Sequence, residues 1–368
     1  MKVCGIIAEF NPFHNGHKFI IEKAKQDTNC DYLIIVTSGD FVQRGEPAII
    51  NKFDRTRMAL TEGADAVFMM PVQMSTASAQ YFARCGVSML SNLGADYLFF
   101  GSESGDLSLL ASSSYELGQI TPPNDILGRE YIAAIKHLNS PLKAFTTSRL
   151  GASYNNSSTI VDNLCSASYL RRALKDKASI SNAPIPPSCL ALLDAALQAG
   201  GLVFLDDLSD ILFSRLIASS HGGYQGFFDV FGDLSDKIKG HITEYTGFTS
   251  FIESLKSKDI TYSHLSRALL HIALGIDDTQ IQYIKEYNYA PYARLLGFRK
   301  DSKALISYIN AHSSIPVISK PSKFISIADD KQAAIFSADI NASHIYSYLE
   351  SKKTAPFTHE YAQPLIII

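Results

Sequence analysis

The spacing of apolar positions divides the chain into two halves. In the first, short runs rich in Val, Ile, Phe and Tyr alternate with stretches of three- and four-residue spacing. Val3 to Glu9 (VCGIIAE) predicts a buried strand, as do Tyr32 to Thr37 (YLIIVT), Asp65 to Met70 (DAVFMM), Asp96 to Phe100 (DYLFF) and Leu142 to Thr146. Helices are predicted between them, from about His17 to Lys25, over Lys52 to Glu62, from about Ser78 to Leu93 and from about Ile126 to Leu138. Such strands, separated by helices, imply a parallel sheet covered on both faces. The expected fold class is therefore α/β, with a Rossmann-like domain over residues 1–180.

Ser181 to Ser188 (SNAPIPPS) holds three prolines and predicts a boundary. Beyond it the pattern turns helical. Leu190 to Gln198, Leu205 to Ala218, Phe248 to Ser257 and Thr261 to Leu274 carry apolar residues at helical spacing, and from about Ala290 helix mixes with short strands such as Pro316 to Ile318. A mainly helical C-terminal domain over 188–368 is expected, with no internal repeat and no low-complexity segment.

Composition narrows the function classes. The 368 residues are 46% hydrophobic and 19% charged, ordinary for a globular chain of this length, and the net charge of −3 provides no global field for nucleic acid. RNA binding would need a local patch. Cys4, Cys30, Cys85, Cys165 and Cys189 are odd in number and show no C-x-x-C spacing, which argues against a disulfide framework or a structural zinc site. Polar residues soon follow the short apolar run after Met1, and no apolar stretch reaches membrane-spanning length. A cytoplasmic protein with no membrane association and no evident protein partner is expected.

The first strand runs directly into Asn-Pro-Phe-His-Asn-Gly-His, residues 11–17. Open α/β sheets bind ligands at the carboxyl ends of their strands, and the start of a helix there offers N–H groups and partial positive charge to phosphate. His14 and His17, three residues apart, lie one helical turn apart and can donate to oxygens that gain charge as an α-phosphorus becomes five-coordinate. Gly16 lets a nucleotide approach the backbone, and Pro12 stiffens the turn. A metal pair would need a third ligand, and none is obvious nearby.

The segment resembles the HIGH signature of the nucleotidyltransferase superfamily. AEFNPFHNGH (8–17), SGDFVQRGEPA (38–48), FFGSESGD (99–106), PNDILGREY (123–131) and APYARLLGF (290–298) together resemble the bacterial tRNA(Met) cytidine acetate ligase family across most of the chain. The resemblance implies a ligase in which ATP and acetate give acetyl-adenylate and pyrophosphate. The acetyl group then passes to N4 of the wobble cytidine of elongator tRNA(Met), forming N4-acetylcytidine. Mg²⁺ is expected with ATP.

The resemblance also assigns site residues. His14 and His17 are the catalytic pair. Ile7, Ala8, Glu9, Phe10, Asn11, Pro12, Phe13, His14, Asn15, Gly16, His17, Lys18, Phe19 and Ile20 line the ATP, joined by Gly101, Asn124, Arg149 and Leu150. From the residues alone, Gly101 is equally a turn glycine, Asn124 a helix cap and Arg149 a solvated arginine. Ser166 to Leu174 (SASYLRRAL) looks like a degenerate form of the superfamily's second, serine-rich signature, making Ser166, Ser168 and Arg171 phosphate contacts; Tyr169 and Leu170 depart from the usual pattern. The stretch 106–122 is short for the family.

Gln43 to Glu46, followed by Lys52, Arg55 and Arg57, are charged enough to gate the site or meet RNA, but such a run is usually a solvated face. Lys285, Arg294, Arg299, Lys300, Lys303, Lys320 and Lys323 face only Glu286 and Asp301 in sequence, with Tyr287, Tyr289, Tyr292, Phe298 and Tyr308 interleaved. That pattern suits phosphate contacts and base stacking, and equally suits aromatics that pack inward. Two other functions share these features. A small-molecule adenylyltransferase of the same superfamily would use the same histidines without an RNA patch, and a non-catalytic RNA-binding protein would keep the nucleotide site for regulation.

Overall fold

A computed structural model describes residues 1–112, 122–149, 165–199, 201–353 and 356–368. Its centre is one mostly parallel sheet. The strands are β1 (Val3–Ala8), β2 (Tyr32–Thr37), β5 (Ala66–Met69), β6 (Tyr97–Ser102), β7 (Lys143–Ser148), β8 (Ala293–Phe298), β9 (Val317–Ile318) and β10 (Ile366–Ile367). A separate hairpin pairs β3 (Phe41–Val42) with β4 (Glu46–Pro47). The sheet order is β10-β8-β5-β2-β1-β6-β7, with β9 added beside β8. From β1 the chain moves outward through β2 and β5, then returns to place β6 on the other side of β1. The crevice between β1 and β6 is thus a topological switch point, where doubly wound sheets bind ligands. Three strands from beyond residue 290 complete this sheet, and β8 enters it antiparallel to β5.

The helices are α1 (Asn15–Thr28), α2 (Lys52–Thr61), α3 (Val72–Ser75), α4 (Ala79–Asn92), α5 (Leu107–Ala111), α6 (Pro123–His137), α7 (Ala167–Lys175), α8 (Pro187–Gln198), α9 (Ser209–Ser219), α10 (Gly232–His241), α11 (Phe248–Leu255), α12 (Tyr262–Leu274), α13 (Asp278–Glu286), α14 (Lys303–His312), α15 (Pro321–Phe324) and α16 (Asp330–Ser351). Alternation along the strands feeds two apolar cores. Cys4, Ile6, Leu33, Ile35, Val67 and Met69 face α1, α2, α7 and α8. Val3, Ile7, Ile34, Val36, Ala66 and Phe68 face α4, α6 and the helices of the second half. Burial on both faces explains why these strands read as continuous apolar runs.

The proline-rich segment 181–188 is packed onto the first half. Ile185 is buried, and the Pro184 carbonyl accepts the Asn15 N–H at 2.9 Å. The cysteines are free thiols, with Cys30 half-buried and the others buried. Among the described residues no helix is long and apolar enough to cross a membrane.

Candidate active site

β1 ends at Ala8, and the loop to α1 carries the cis Asn11–Pro12 peptide and a left-handed Phe10 with φ 51°. The Phe10 and Phe13 rings wall the His17 ring, with centroids 5.0 and 5.4 Å away. His14 is the N-cap of α1. Its Nδ1 accepts the Gly16 N–H at 3.1 Å, and its own backbone N–H donates to Nδ1 of His17 at 3.2 Å. A ring nitrogen that accepts a hydrogen bond carries no proton, so each neutral ring has its proton on Nε2. The rings stack, centroids 3.8 Å apart. His14 is 1% exposed, and its Nε2 has no hydrogen-bond partner among the described residues.

Burial, and then the positive charges of Arg149 and Arg171, push the His14 pKa down to about 3. Burial, followed by His14 and Arg149, holds His17 well below the usual histidine value. The two imidazoles are therefore neutral donors at physiological pH, a fixed pair of N–H dipoles aimed from the end of β1.

The unpaired N–H groups expected at the start of α1 are in fact satisfied. Asn15 N–H bonds Pro184, Gly16 N–H bonds the His14 ring, and the N–H groups of His17 and Lys18 donate to the His14 carbonyl at 2.8 and 3.3 Å. Each histidine uses Nδ1 to close the helix end, which leaves Nε2 as its donor. Gly16 is part of the same device: a Cβ there would stand 2.9 Å from Cε1 of His14. The room expected for a nucleotide above Gly16 holds the His14 ring.

The other candidates converge on this crevice. Gly101 lies within β6, where a Cβ would come within 2.9 Å of Ile20 Cδ1 and 3.3 Å of Arg149 Cγ. Arg149 follows β7, its N–H bonded to the Ser102 carbonyl at 2.9 Å, and its side chain is exposed. Arg171 donates to the Asn11 carbonyl at 2.9 Å, lies 3.1 Å from Glu46 and reaches Ser168 Oγ at 3.3 Å. Its guanidinium ties α7 and the β3–β4 hairpin to the histidine loop. Ser166 caps α7 by accepting the Tyr169 N–H at 3.1 Å. Lys18 turns to Glu62, 3.0 Å away. Glu9 accepts the Gln43 N–H at 2.7 Å, and burial raises its pKa. Leu150 lies outside the described residues, as does most of the short 106–122 stretch.

Asn124 is not the helix cap expected from the sequence. α6 begins at Pro123, whose fixed φ and missing N–H suit a first helical position, and Pro122 stands at the cap. Glu103 replaces the missing cap. One of its oxygens accepts Asn124 Nδ2 at 2.6 Å, and the other accepts the Asp125 N–H at 3.0 Å. Sequence reasoning missed Glu103, because its partners are twenty-one and twenty-two residues away.

Of the charged run over 52–57 only Arg57 lies on a solvated face. Lys52 and Arg55 are buried. Lys52 meets Asp40 at 2.6 Å and Glu360 at 3.0 Å; Arg55 donates to the carbonyls of Glu9, Ser38, Gly39 and Ile50. Arg55 thus pins the end of β1 from behind. In the basic–aromatic stretch, Tyr289 and Tyr292 pack inward, Tyr287 bonds Asp329, and Arg294 is buried against Glu360. Lys300, Lys303, Lys320 and Lys323 remain exposed. Base stacking by Tyr289 or Tyr292 is therefore ruled out by their burial.

A family profile described as HIGH Nucleotidyl Transferase matches residues 1–117 and 110–360. Curated relatives named tRNA(Met) cytidine acetate ligase match almost end to end. The Acetivibrio thermocellus protein is 31% identical over 94% of both chains, that of Caldanaerobacter subterraneus subsp. tengcongensis 32% over 100% of both, and that of Clostridium kluyveri 33% over 100% of this chain and 99% of its own. The chain belongs to the tRNA(Met) cytidine acetate ligase family. Its fold agrees with that assignment. The crystal structure of apo Thermotoga maritima TmcAL superposes with a TM-score of 0.89 at 25% identity, covering both chains completely. A second structure of that protein, bound with alpha-thio ATP, gives 0.88 at 24% identity, covering 100% of this chain and 99% of the other. Members of this family are named as ligases.

Proposed function

We propose that this chain is an ATP-dependent tRNA(Met) cytidine acetate ligase. The observation that carries this reading is the pair of neutral imidazoles at the end of β1, each with Nδ1 occupied and its proton on Nε2, in a chain that matches ligases of that name along its whole length. ATP binds with its triphosphate before His14 and His17, along the segment Ile7–Ile20 and the rim formed by Gly101, Asn124 and Arg149. Ser166, Ser168 and Arg171 approach from α7. A carboxylate oxygen of acetate attacks the α-phosphorus; the new O–P bond forms as the bond to pyrophosphate breaks. The imidazole donors stabilise the charge that builds on the α-phosphate oxygens. The N4 amine of the wobble cytidine then attacks the acetyl carbon, AMP leaves, and the amine loses a proton to give N4-acetylcytidine.

Among the described residues no group of three His, Cys, Asp or Glu side chains is set to hold a metal. Mg²⁺ accompanying ATP would supply charge neutralisation to the leaving pyrophosphate. Residues 1–180 form the catalytic part. Residues 188–368 offer the exposed Lys300, Lys303, Lys320 and Lys323 to tRNA phosphates.

The test is acetate-dependent exchange of labelled pyrophosphate into ATP, with and without unmodified elongator tRNA(Met). Exchange should require acetate, and acetyl should then appear on the tRNA. His14→Ala and His17→Ala should each slow exchange by about 10²–10³-fold. Exchange that demands a different acid, or normal rates in both variants, would remove the ligase reading or the site assignment respectively.

A further inference from the structure

Beyond the histidines, the direction of one amide among the site residues, that of Asn124, is set by a neighbour. Asn124 sits half-buried in the first turn of α6, and its Nδ2 donates to Glu103 at 2.6 Å. Glu103 is anionic and only accepts, so the amide can face it only through its N–H group. The opposite end, Oδ1, is thereby held as an acceptor and makes no hydrogen bond to any described residue. The second Glu103 oxygen is fixed by the Asp125 N–H at 3.0 Å, so the carboxylate itself has little freedom to turn. Glu103 directly follows β6, beside Gly101 and facing Arg149, at the edge of the crevice next to β1.

We propose that Glu103 is a positioning residue for nucleotide selection: it orients the Asn124 amide so that Oδ1 accepts a hydrogen bond from a donor on the nucleoside half of ATP. The inference rests on the ATP reading above. An adenosine nucleotide offers donors of two kinds, the exocyclic amine of the base and the ribose hydroxyls, of which a 2′-deoxy analogue removes one. Inosine triphosphate replaces the amine with a carbonyl, which would set two acceptors against each other. A buried or half-buried acceptor left facing another acceptor is penalised more than a lost contact alone, which is how a short polar contact yields discrimination.

Glu103→Gln is the decisive variant. The glutamine carbonyl can keep the Asp125 N–H, which leaves its amide N–H₂ facing Asn124. The Asn124 amide must then turn over, bringing Oδ1 to Gln and Nδ2 to the nucleotide. A role limited to capping α6 would change stability without changing which nucleotide is preferred.

Affinities of the full chain for ATP, inosine triphosphate and 2′-deoxy-ATP are compared by calorimetry, in wild type, Glu103→Gln and Asn124→Ala, with thermal unfolding of each protein as the control for folding. Wild type should prefer ATP to one analogue by about tenfold or more, and both variants should largely lose that preference. Loss against inosine triphosphate assigns the donor to the base amine; loss against 2′-deoxy-ATP assigns it to the ribose. Glu103→Gln that retains both wild-type preferences overturns the inference while leaving the ATP site intact. Wild type that binds none of the three removes the ATP reading and the inference with it. Asn124→Ala, which deletes the reader outright, decides the matter should Glu103→Gln fail to fold; full wild-type selectivity in that variant also overturns it.

Discussion

At the end of β1 two histidines perform the task that a capping serine or aspartate performs in most helices, and they gain a second use from it. Serine or aspartate at an N-cap satisfies a backbone N–H and stops there. Imidazole has a second nitrogen on the far side of the ring, so capping at Nδ1 fixes a donor at Nε2. Burial and nearby arginines keep both rings neutral, which fits a pair that donates without changing charge. The pH dependence follows. The folded His14 pKa of about 3 lies below the ordinary 6.5, so below about pH 6.5 the unfolded chain binds protons that the folded chain refuses. Stability contributed by these rings is fully present above the ordinary histidine value and declines as pH falls toward 3. In acetate-dependent exchange no inflection from either ring is expected between about pH 6 and 8. An inflection near 6.5 that vanishes in His17→Ala would contradict the neutral pair.

At the scale of elements, the β3–β4 hairpin shows how a short motif is held over the site. Gln43 N–H reaches Glu9, Glu46 pairs with Arg171, and the Gly45 carbonyl accepts Ser266 Oγ at 2.8 Å. Gly45 has φ +77°, and a Cβ there would overlap the backbone of Ser266 and Arg267 within α12. Both the left-handed backbone and the close approach demand glycine. Gly45→Ala is expected to cost about 2–4 kcal/mol, from backbone strain together with overpacking. Urea unfolding midpoints measure this, and a midpoint equal to wild type would show that the hairpin shifts freely away from α12. Because the hairpin also holds Glu9 and Arg171, the same variant should slow exchange.

Across the whole molecule, the C-terminal segment is locked to the first half by buried charge. Glu360 bridges Lys52 and Arg294, with Asp40 and Ser343 completing the cluster around Lys52. The cluster joins α2, β8, α16 and the approach to β10. Glu360→Ala leaves Lys52 short of one partner and Arg294 without its carboxylate, and uncompensated buried charge of that kind costs about 3–5 kcal/mol. Chemical denaturation of the full chain tests it; a loss below about 1 kcal/mol would mean that water reaches the cluster. Replacing the whole cluster by apolar residues need not destabilise at all, so its presence speaks for specific docking of the last strands more than for stability.

The first five sheet strands and the main helices between them were legible in the sequence because each is set by local periodicity, and the central strands β1, β2 and β5 are buried on both faces. The mutual placement of His14, Gly16 and His17 was legible for a related reason: they lie within one helical turn, so their contacts with one another need nothing distant. What the sequence left open depends on contacts across long separations. That β8, β9 and β10 join the first half's sheet, that Lys52 and Arg55 are buried, that Tyr289 and Tyr292 turn inward and that Glu103 sets Asn124 all require partners brought together from 12 to about 300 residues apart. Charge and aromaticity in a string do not say which way a side chain faces. Only packing, which decides whether water or a partner satisfies each polar group, does so.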